Sequence, residues 1–378
     1  MTQPSASEQR EVVRSSRDPE DLKRRLESWL GSRLDTSAGI SDLQATSANG
    51  MSSETILFSA SWEDRGAKRS ETLVARIAPD PHDVPVFPSY DMERQARAIR
   101  LVGELTSVPV PKVWWSEADP SVLDVPFFVM ERIEGEVPPD VMPYNFGDSW
   151  LFAAAASDQR RLQDSSVAVL AKLHAIERPT ETFEFLECDE PGDTHLRRHV
   201  AHTRAWYEYC ATGGDRSPLI ERAFAWIESN WPSTESDPVV IWGDSRIGNM
   251  MFRDFEPVAV LDWEMAALGP RELDVAWMAF AHRAFEDLAG FFEMPGMPDF
   301  MRPDDVAATY ESLTGYALRD LTFYMTYCAL QWAIVFLRTG QRAIHFGEEE
   351  KPGDIDELLR NREPLERMLA GTYWEALR

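Results

Sequence analysis

Three polar side chains stand at fixed offsets between short apolar runs in residues 239–276. Asp244 and Asn249 are separated by four residues, and Asp262 follows the apolar run of residues 258–261. Carboxylate and amide oxygens are hard ligands that suit Mg²⁺ when phosphate oxygens and water complete its shell. Phosphoryl transfer needs one carboxylate to orient the attacking hydroxyl and further oxygen ligands to hold metal. The segment therefore predicts phosphoryl transfer, with Asp244 as the catalytic carboxylate and Asn249 and Asp262 as metal ligands.

A pair of ordinary turns is the alternative interpretation of the same segment. Gly243-Asp244 and Gly248-Asn249 are both good turn dipeptides, and either one alone is explained by a turn. The complete order is more specific: an apolar strand, Gly-Asp, four residues, Asn, a turn, a second apolar strand and Asp. That joint occurrence favours the functional interpretation.

The chain is strongly acidic, with 64 Asp and Glu against 38 Lys and Arg and a net charge of −26. This balance argues against an even basic patch for nucleic acid, and an anionic membrane surface would repel the chain. A cationic small molecule suits the charge, although an acidic surface that is simply solvated accounts for it too. We expect a small-molecule partner, no nucleic acid, no membrane, and a monomer or homodimer.

Cysteine usage and hydropathy point to a cytoplasmic protein. Cys188, Cys210 and Cys328 are widely spaced and contain no C-x-x-C pair, so neither a disulfide scaffold nor a zinc site is expected. Residues 1–16 have no apolar core, and a signal peptide is therefore not expected there. Residues 321–337 form the longest weakly polar run, and the polar residues within it favour a buried helix over a membrane span.

A length of 378 residues with 44% hydrophobic content predicts two lobes with a sizeable core. Asp18-Pro19-Glu20 has the order of an N-cap, a first-turn proline and an acidic first turn, so it predicts a helix that packs on the first lobe. Period-two alternation bounded by turn residues then predicts strands, and apolar residues at helical spacing predict one helix between them. These are strands at 56–62 and 72–77 joined by a turn at 63–68, a helix at 91–105, and strands at 112–115 and 126–131.

After residue 131 the pattern becomes mostly helical, which we interpret as the lobe boundary. Helical spacing of apolar residues recurs in six segments. These are residues 165–176, 202–209, 220–230, 274–285, 304–313 and 320–338. The predicted organisation is an N-terminal arm and helix (1–40), a nucleotide-binding sheet (41–131), and a lobe with the catalytic loop and acceptor site (132–378).

Residues 242–249, Trp-Gly-Asp-Ser-Arg-Ile-Gly-Asn, resemble the His-Gly-Asp-x-x-x-x-Asn loop of the aminoglycoside phosphotransferase-like family, which shares its spacing with protein kinases. Leu261-Asp262-Trp263 is similar to the strand end that follows in that family. Residues 269–276 resemble its Gly-x-x-x-x-Asp-hydrophobic-Ala segment, which implies that Asp274 is a structural helix cap. The Arg-x-Gly-Asn variant at 246–249 is similar to a branch related to the kinase-like domains of certain acyl-CoA dehydrogenases.

The resemblance covers roughly residues 41–338 and implies an α+β, bilobal, protein-kinase-like fold that uses ATP and Mg²⁺. It places a phosphate loop at residues 49–55 and a hinge for the adenine edge at residues 129–132. It also implies that Arg76 reaches phosphate, that Glu93 pairs with that arginine, and that His174 is a buried structural histidine. The cofactor-binding residues it implies are Ser52, Ser53, Arg76, Glu93, Met130, Glu131 and Arg132.

Two departures from the family pattern leave the function open. Trp242 replaces the usual histidine, and Arg76 stands where many kinases have lysine, which differs from arginine in shape and hydration. The acceptor is an aminoglycoside-type antibiotic, which would mean antibiotic resistance, or a hydroxyacyl or other small hydroxyl metabolite. A kinase-like nucleotide-binding module without turnover is the third alternative. Glu264 is a candidate acceptor contact, and residues 285–300 are a candidate pocket wall, or else a surface loop.

Overall fold

The computed structural model describes residues 17–45, 53–140 and 143–377. An antiparallel sheet and a larger set of helices occupy separate parts of the chain, which confirms the predicted α+β class. We refer to the sheet with its two helices as the small lobe and to the remainder as the large lobe.

The small lobe is a five-stranded antiparallel sheet in the order β1-β2-β3-β5-β4. The predicted hairpin is confirmed, and its strands pair without interruption from Glu54 opposite Ile77 to Asp64 opposite Ala67. Arg65 and Gly66 both have positive φ, as a tight two-residue hairpin turn requires. The strands are β1 (Ala38–Ala45), β2 (Glu54–Asp64), β3 (Ala67–Ile77), β4 (Val113–Glu117) and β5 (Phe127–Glu131).

Helix α1 (Pro19–Leu34) packs on this sheet, as the sequence predicts. The carboxylate of Asp18 accepts a hydrogen bond from the amide of Glu20 at 3.0 Å and so caps the helix. Trp29 is buried against the ring of Phe127 in β5, with the ring centroids 4.7 Å apart. Helix α2 (Met92–Leu105) lies between β3 and β4 in the chain and packs on β4 and β5.

The large lobe is built from helices and two small two-stranded sheets. All six predicted helical segments are helices, and several extend beyond the predicted bounds. The helices are α3 (Ala156–Leu173), α4 (Pro179–Thr182), α5 (His195–Cys210), α6 (Pro218–Ser229), α7 (Glu272–Phe291), α8 (Pro303–Thr314), α9 (Leu321–His345) and α10 (Arg362–Leu369). Helix α9 is largely buried, and within the described ranges no helix is long and apolar enough to cross a membrane.

The two small sheets place the polar residues of the site. Strand β6 (Pro238–Ile241) pairs with β9 (Ala267–Pro270), and β7 (Met250–Arg253) pairs with β8 (Glu256–Val260). The loop between β6 and β7 carries Asp244, and the loop between β8 and β9 carries Asp262. The carbonyl of Asn249 accepts a hydrogen bond from the amide of Leu261 at 2.8 Å, so the two loops are adjacent.

Candidate active site

The Asp244 loop, residues 242–249, holds its carboxylate with three donors. Trp277 Nε1 lies 2.7 Å from Asp244 Oδ1, and Asn249 Nδ2 lies 2.7 Å from Oδ2. Arg246 Nε donates to both oxygens, at 3.0 and 3.2 Å. Such charge-assisted bonds fix the rotamer of a carboxylate. The Asp244 side chain is therefore already oriented in the structure.

Glycine is required at position 243 for two reasons. Its φ is +90°, a conformation that L side chains rarely adopt. A Cβ atom there would also lie 2.6 Å from the carbonyl carbon of Met265, which belongs to the Asp262 loop (residues 261–266). The missing side chain thus lets the two loops approach each other closely.

Asp274 is structural, as expected, but the prediction that it caps its own helix is wrong. Helix α7 begins at Glu272, and no side chain caps its first turn. The carboxylate of Asp274 instead accepts the amide hydrogens of Trp242 and Gly243 at 2.7 and 2.8 Å. It also lies 3.1 Å from Nε2 of His174. A fully buried carboxylate needs such donors, and the Asp244 loop supplies them.

His174 is the buried structural histidine that the sequence predicts. Its Nε2 faces Asp274, and its Nδ1 lies 2.8 Å from the hydroxyl of Tyr310. Because both ring nitrogens have protein partners and the side chain is buried, His174 supports the Asp244 loop from behind rather than facing a substrate.

Trp242 links the two loops in place of the histidine usual at this position. Its ring is buried, and Nε1 donates to the carbonyls of Leu261 and Asp262 at 2.9 and 3.1 Å. An indole N–H is a donor only, so it satisfies two backbone acceptors without adding charge. The substitution therefore retains a loop-supporting group.

Asp262 lies in the left-handed region with φ +59°, which aspartate tolerates better than most residues. Its Oδ1 is 3.5 Å from Nη2 of Arg76, while Nη1 of that arginine donates to Thr55 at 2.8 Å. Burial raises the pKa of Asp262, Arg76 opposes this increase, and the Asp244 charge adds to it. Arg76 thus joins the small lobe to the metal-ligand candidate.

The predicted pairing of Glu93 with Arg76 does not occur in the structure. Glu93 is half exposed and lies 3.7 Å from Arg100, about two turns along the same face of α2. Arg76 has Asp262 and Thr55 as its partners instead. A guanidinium offers five N–H donors in a rigid fork, and Nη1 and Nη2 contact Thr55 and Asp262 without the carboxylate of α2.

The phosphate-loop candidates are only partly described. Ser52 lies outside the described residues. Ser53 is buried at the start of the sheet, and its hydroxyl has no hydrogen-bond partner in the described structure. A buried hydroxyl without a partner is costly, so Ser53 Oγ is an available donor at this position.

The hinge candidates form the end of β5. Met130 is buried and pairs with Val74 of β3. The amide of Glu131 donates to the carbonyl of Lys112 at 2.8 Å, and that of Arg132 donates to Thr72 at 3.1 Å. Because these two amides are already bonded, neither can donate to an adenine edge. Over the described ranges, the amide of Ile133 is the first after β5 that no protein acceptor engages.

The donor set fits a magnesium ion supported by phosphate better than a metal held by protein alone. Within the described part of the chain, no three His, Cys, Asp or Glu side chains converge as a metal site. Asn249 uses its nitrogen on Asp244, which leaves its Oδ1 for a metal beside Asp262. The buried carboxylate of Asp262, close to the charge of Asp244, would be stabilised by a divalent cation.

Sequence reasoning singled out neither Asp140 nor Trp277 as a partner of this site. Arg246 Nη1 pairs with Asp140, which lies 106 positions earlier in the chain. Trp277, from the second turn of α7, donates to Asp244. Arg246 had a sequence signal, because it belongs to the Arg-x-Gly-Asn variant. Contacts over such separations leave no local pattern for the other two residues.

Residues 54–303 match the phosphotransferase enzyme family, and the chain belongs to that family. IBR3 of Arabidopsis thaliana, named a "Probable acyl-CoA dehydrogenase", is 26% identical over 228 residues, which are 56% of this chain and 26% of that protein. The chain spans about a quarter of the length of the curated relatives it matches. The predicted family and its acyl-CoA dehydrogenase-related branch are thereby confirmed.

Solved structures confirm the bilobal, protein-kinase-like fold. A Ralstonia eutropha JMP134 protein assigned as an aminoglycoside phosphotransferase has a TM-score of 0.65 at 20% identity, covering 93% of this chain and 98% of that one. Aminoglycoside phosphotransferase APH(4)-Ia, in ternary complex with ADP and hygromycin B, has a TM-score of 0.51 at 14% identity. That match covers 91% of this chain and 98% of the other.

Proposed function

We propose that this chain transfers the γ-phosphoryl group of ATP, with Mg²⁺, to a hydroxyl of a small molecule. The observation that carries the proposal is one contact network. Asn249 donates to Asp244, and its carbonyl accepts from the amide of Leu261, the residue before Asp262. Arg76 of the sheet reaches Asp262. Family membership supports a phosphotransferase, and the charges of the network suit a phosphorylated ligand with a divalent cation.

Each residue has a defined task in this proposal. Asp244 accepts a hydrogen bond from the acceptor hydroxyl and orients it for attack. Arg76 binds phosphate oxygens, and the amide of Ile133 donates to the adenine edge. Asn249 and Asp262 would hold Mg²⁺, which neutralises charge on the phosphate oxygens. The predicted boundary at residue 40 falls within β1, so we propose one nucleotide-binding lobe with α1 and the sheet (19–131) and one catalytic and acceptor lobe (132–378).

An aromatic cluster beside Asp244, in which Phe285, Trp332 and Phe336 are only partly buried, favours an acceptor with an apolar body. Trp277, which donates to Asp244, has its ring 6.4 Å from that of Trp332 in α9. Phe280, Phe285 and Phe336 also pack against Trp332. Helix α9 contains no Asp or Glu in its 25 residues, whereas a polycation would require acidic groups nearby. This favours a hydroxyacyl or similar hydroxyl metabolite over an aminoglycoside.

The nearby acidic groups of α7 are already engaged. Glu286 accepts from Asn145 and from the amide of Met297, both at 2.7 Å. Asp287 accepts from the hydroxyl of Tyr373 at 2.8 Å. Carboxylates with internal partners are poor sites for the ammonium groups of an aminoglycoside. The aminoglycoside alternative is supported by the overall charge and by the complexes of its structural neighbours.

The experiment measures Mg²⁺-dependent ADP release with two acceptor panels, aminoglycosides and hydroxyl compounds with acyl or aromatic bodies. We expect turnover with the second panel. In Asp244→Asn, turnover should fall at least about a hundredfold, because the carboxylate that orients the hydroxyl is lost. Binding of Mg-ATP, followed as a thermal shift, should remain. Mg-ATP binding without turnover in the wild-type protein would favour the binding module instead.

A further inference from the structure

A chain of three charged side chains runs into the Asp244 loop from the segment before α3. Arg246 stands in the middle, with Nη1 on Asp140 and Nε on both oxygens of Asp244. The three side chains are each less than one-fifth exposed. One guanidinium therefore lies between two carboxylates, and only one of these carboxylates belongs to the loop that performs the chemistry.

The carboxylate of Asp244 faces three N–H donors in this arrangement, and one of them lies across both of its oxygens. Arg246 Nε shares its single hydrogen between both oxygens, while Trp277 donates to Oδ1 and Asn249 donates to Oδ2. An ionised carboxylate offers about four lone-pair positions. Because the Nε–H of Arg246 spans both oxygens, a hydroxyl or a water molecule that bonds Asp244 at this edge must take its place.

Arg246 Nε is the donor most readily displaced. Its bonds of 3.0 and 3.2 Å are shared between two oxygens, whereas those of Trp277 and Asn249 are both 2.7 Å. Trp277 is buried in α7, and Asn249 also donates to the carbonyl of Asp244. The ion pair of Arg246 with a second carboxylate, Asp140, can remain when Nε no longer bonds Asp244.

The glycine at position 248 leaves space for this pair. A Cβ atom at Gly248 would overlap Asp140 Oδ1 and would lie 2.7 Å from Arg246 Nη1. The close approach of the Asp244 loop to Asp140 therefore depends on a residue without a side chain. The guanidinium can stay beside Asp140 while its Nε changes partner.

We propose that Arg246 shields Asp244 from water until an acceptor binds, and so suppresses unproductive hydrolysis of ATP. The acceptor hydroxyl, bound with the rest of its molecule, takes the place of Nε on Asp244. A single water molecule has no such additional binding energy and does not displace Arg246. Asp140 retains the released guanidinium, so Arg246 and Asp140 are positioning residues. This inference rests on the proposed function of the same site.

The test compares ATP hydrolysis without any acceptor in the wild type, Arg246→Met and Asp140→Asn. We expect Arg246→Met to raise this hydrolysis about tenfold, the equivalent of one displaced hydrogen bond to a charged group. Asp140→Asn should lower it, because Arg246 then has Asp244 as its sole carboxylate and holds it more strongly. Opposite changes in the two variants distinguish shielding from a loss of structure, which would move both the same way.

Two further variants complete the design. Arg246→Lys keeps the charge but loses the guanidinium fork, so its hydrolysis should lie between that of the wild type and that of Arg246→Met. Arg216→Met removes another arginine that bridges two carboxylates, Glu208 and Glu221, on the surface of the large lobe, and should leave hydrolysis unchanged. A thermal shift with Mg-ATP shows for each variant that the fold and nucleotide binding persist.

An activity-independent measurement follows the Nε–H proton of Arg246 by NMR in ¹⁵N-arginine-labelled protein. Bonded to a buried carboxylate, this proton should exchange slowly with water in the wild type and at least about tenfold faster in Asp244→Ala. Fast exchange in the wild type overturns the inference. So does hydrolysis in Arg246→Met within twofold of wild type while the Mg-ATP shift is retained. If the wild type neither binds nor hydrolyses Mg-ATP, the proposed function falls, and this inference falls with it.

Discussion

Asp274 has a role that its position in the chain does not reveal. A carboxylate in the first turn of a helix ordinarily caps that turn or interacts with its dipole. Here the chain of α7 passes behind the Asp244 loop, and the carboxylate bonds two successive amides of that loop. The motif predicts a structural aspartate correctly, but only the packing of α7 against the Asp244 loop identifies its partners.

Replacing Asp274 by Asn should therefore disturb the catalytic loop as well as the fold. Three donors face the carboxylate of Asp274: the backbone amides of Trp242 and Gly243 and the ring of His174. An asparagine side chain would turn its NH₂ group toward at least one of them. Leaving a buried donor unsatisfied costs about 1–3 kcal/mol of unfolding free energy. We expect that loss by urea denaturation, together with reduced phosphoryl transfer.

The matched control for this change is Asp356→Asn, far from the loop. Asp356 is also buried and accepts from the amide of Leu219 at 3.2 Å and from Ser217 Oγ. Its replacement should cost similar stability and leave turnover and Mg-ATP binding unchanged. If Asp274→Asn lost stability but kept full turnover, the loop-holding role would be refuted.

At the scale of elements, local patterns predict what local interactions determine. Asp18 with Pro19 predicts the start of α1, and the alternation of residues 56–62 predicts β2. Strand β1 has only Ile40 buried along its length, so it shows no alternation that would predict it. Helix α3 begins nine residues before its predicted start. The prediction misses these residues because they are mostly polar and exposed and so show no apolar spacing.

In the site, too, contacts between neighbouring residues are predicted correctly, whereas partners from distant segments are not. Asp244, Asn249 and Asp262 lie on two loops joined by one short hairpin, β7 and β8, so their spacing predicts that they meet. Glu93 does not meet Arg76, since the choice of partner depends on how α2 packs. Contacts between distant segments are set by tertiary packing, which no local spacing encodes.

The connection between β3 and α2 is fastened to the large lobe. Trp206 Nε1 of α5 donates to the carbonyl of Val86 at 2.8 Å, and its ring lies 4.9 Å from that of Phe87. Arg338 of α9 donates to the carbonyl of Pro85 at 2.8 Å. These contacts tie the strand that carries Arg76 to the lobe that carries Asp244.

Trp206→Phe should loosen this connection while keeping most of the aromatic packing. It leaves the buried carbonyl of Val86 without its donor, which costs about 1 kcal/mol. Amide hydrogen exchange of residues 81–90 should accelerate about fivefold. The control, Trp231→Phe, removes an indole bond to Glu235 on the surface and should not alter that exchange. Unchanged protection of residues 81–90 in Trp206→Phe would mean that the contact does not hold the lobes.

At the scale of the whole molecule, pH acts on stability through buried histidines as well as through the 64 carboxyl groups. Burial lowers the pKa of His199 and of His282 to about 3. His282 has both ring nitrogens engaged, with Nδ1 3.0 Å from Tyr144 Oη and Nε2 3.1 Å from the carbonyl of Met297. The carbonyl can only accept, so Nε2 carries a proton, and the lowered pKa leaves Nδ1 unprotonated to accept from the Tyr144 hydroxyl.

The unfolded chain, whose histidines have a pKa of about 6.5, binds more protons than the folded protein below that pH. The stability due to each neutral ring is therefore complete above pH 6.5 and is lost as the pH falls, by about 2 kcal/mol per histidine at pH 5. We expect His282→Gln, whatever its stability at pH 7.5, to lose about 2 kcal/mol less than wild type between pH 7.5 and 5, measured by urea unfolding. The exposed control His82→Gln should follow the wild-type pH dependence. Equal losses in wild type and His282→Gln would mean that the buried ring accepts its proton without cost to the fold.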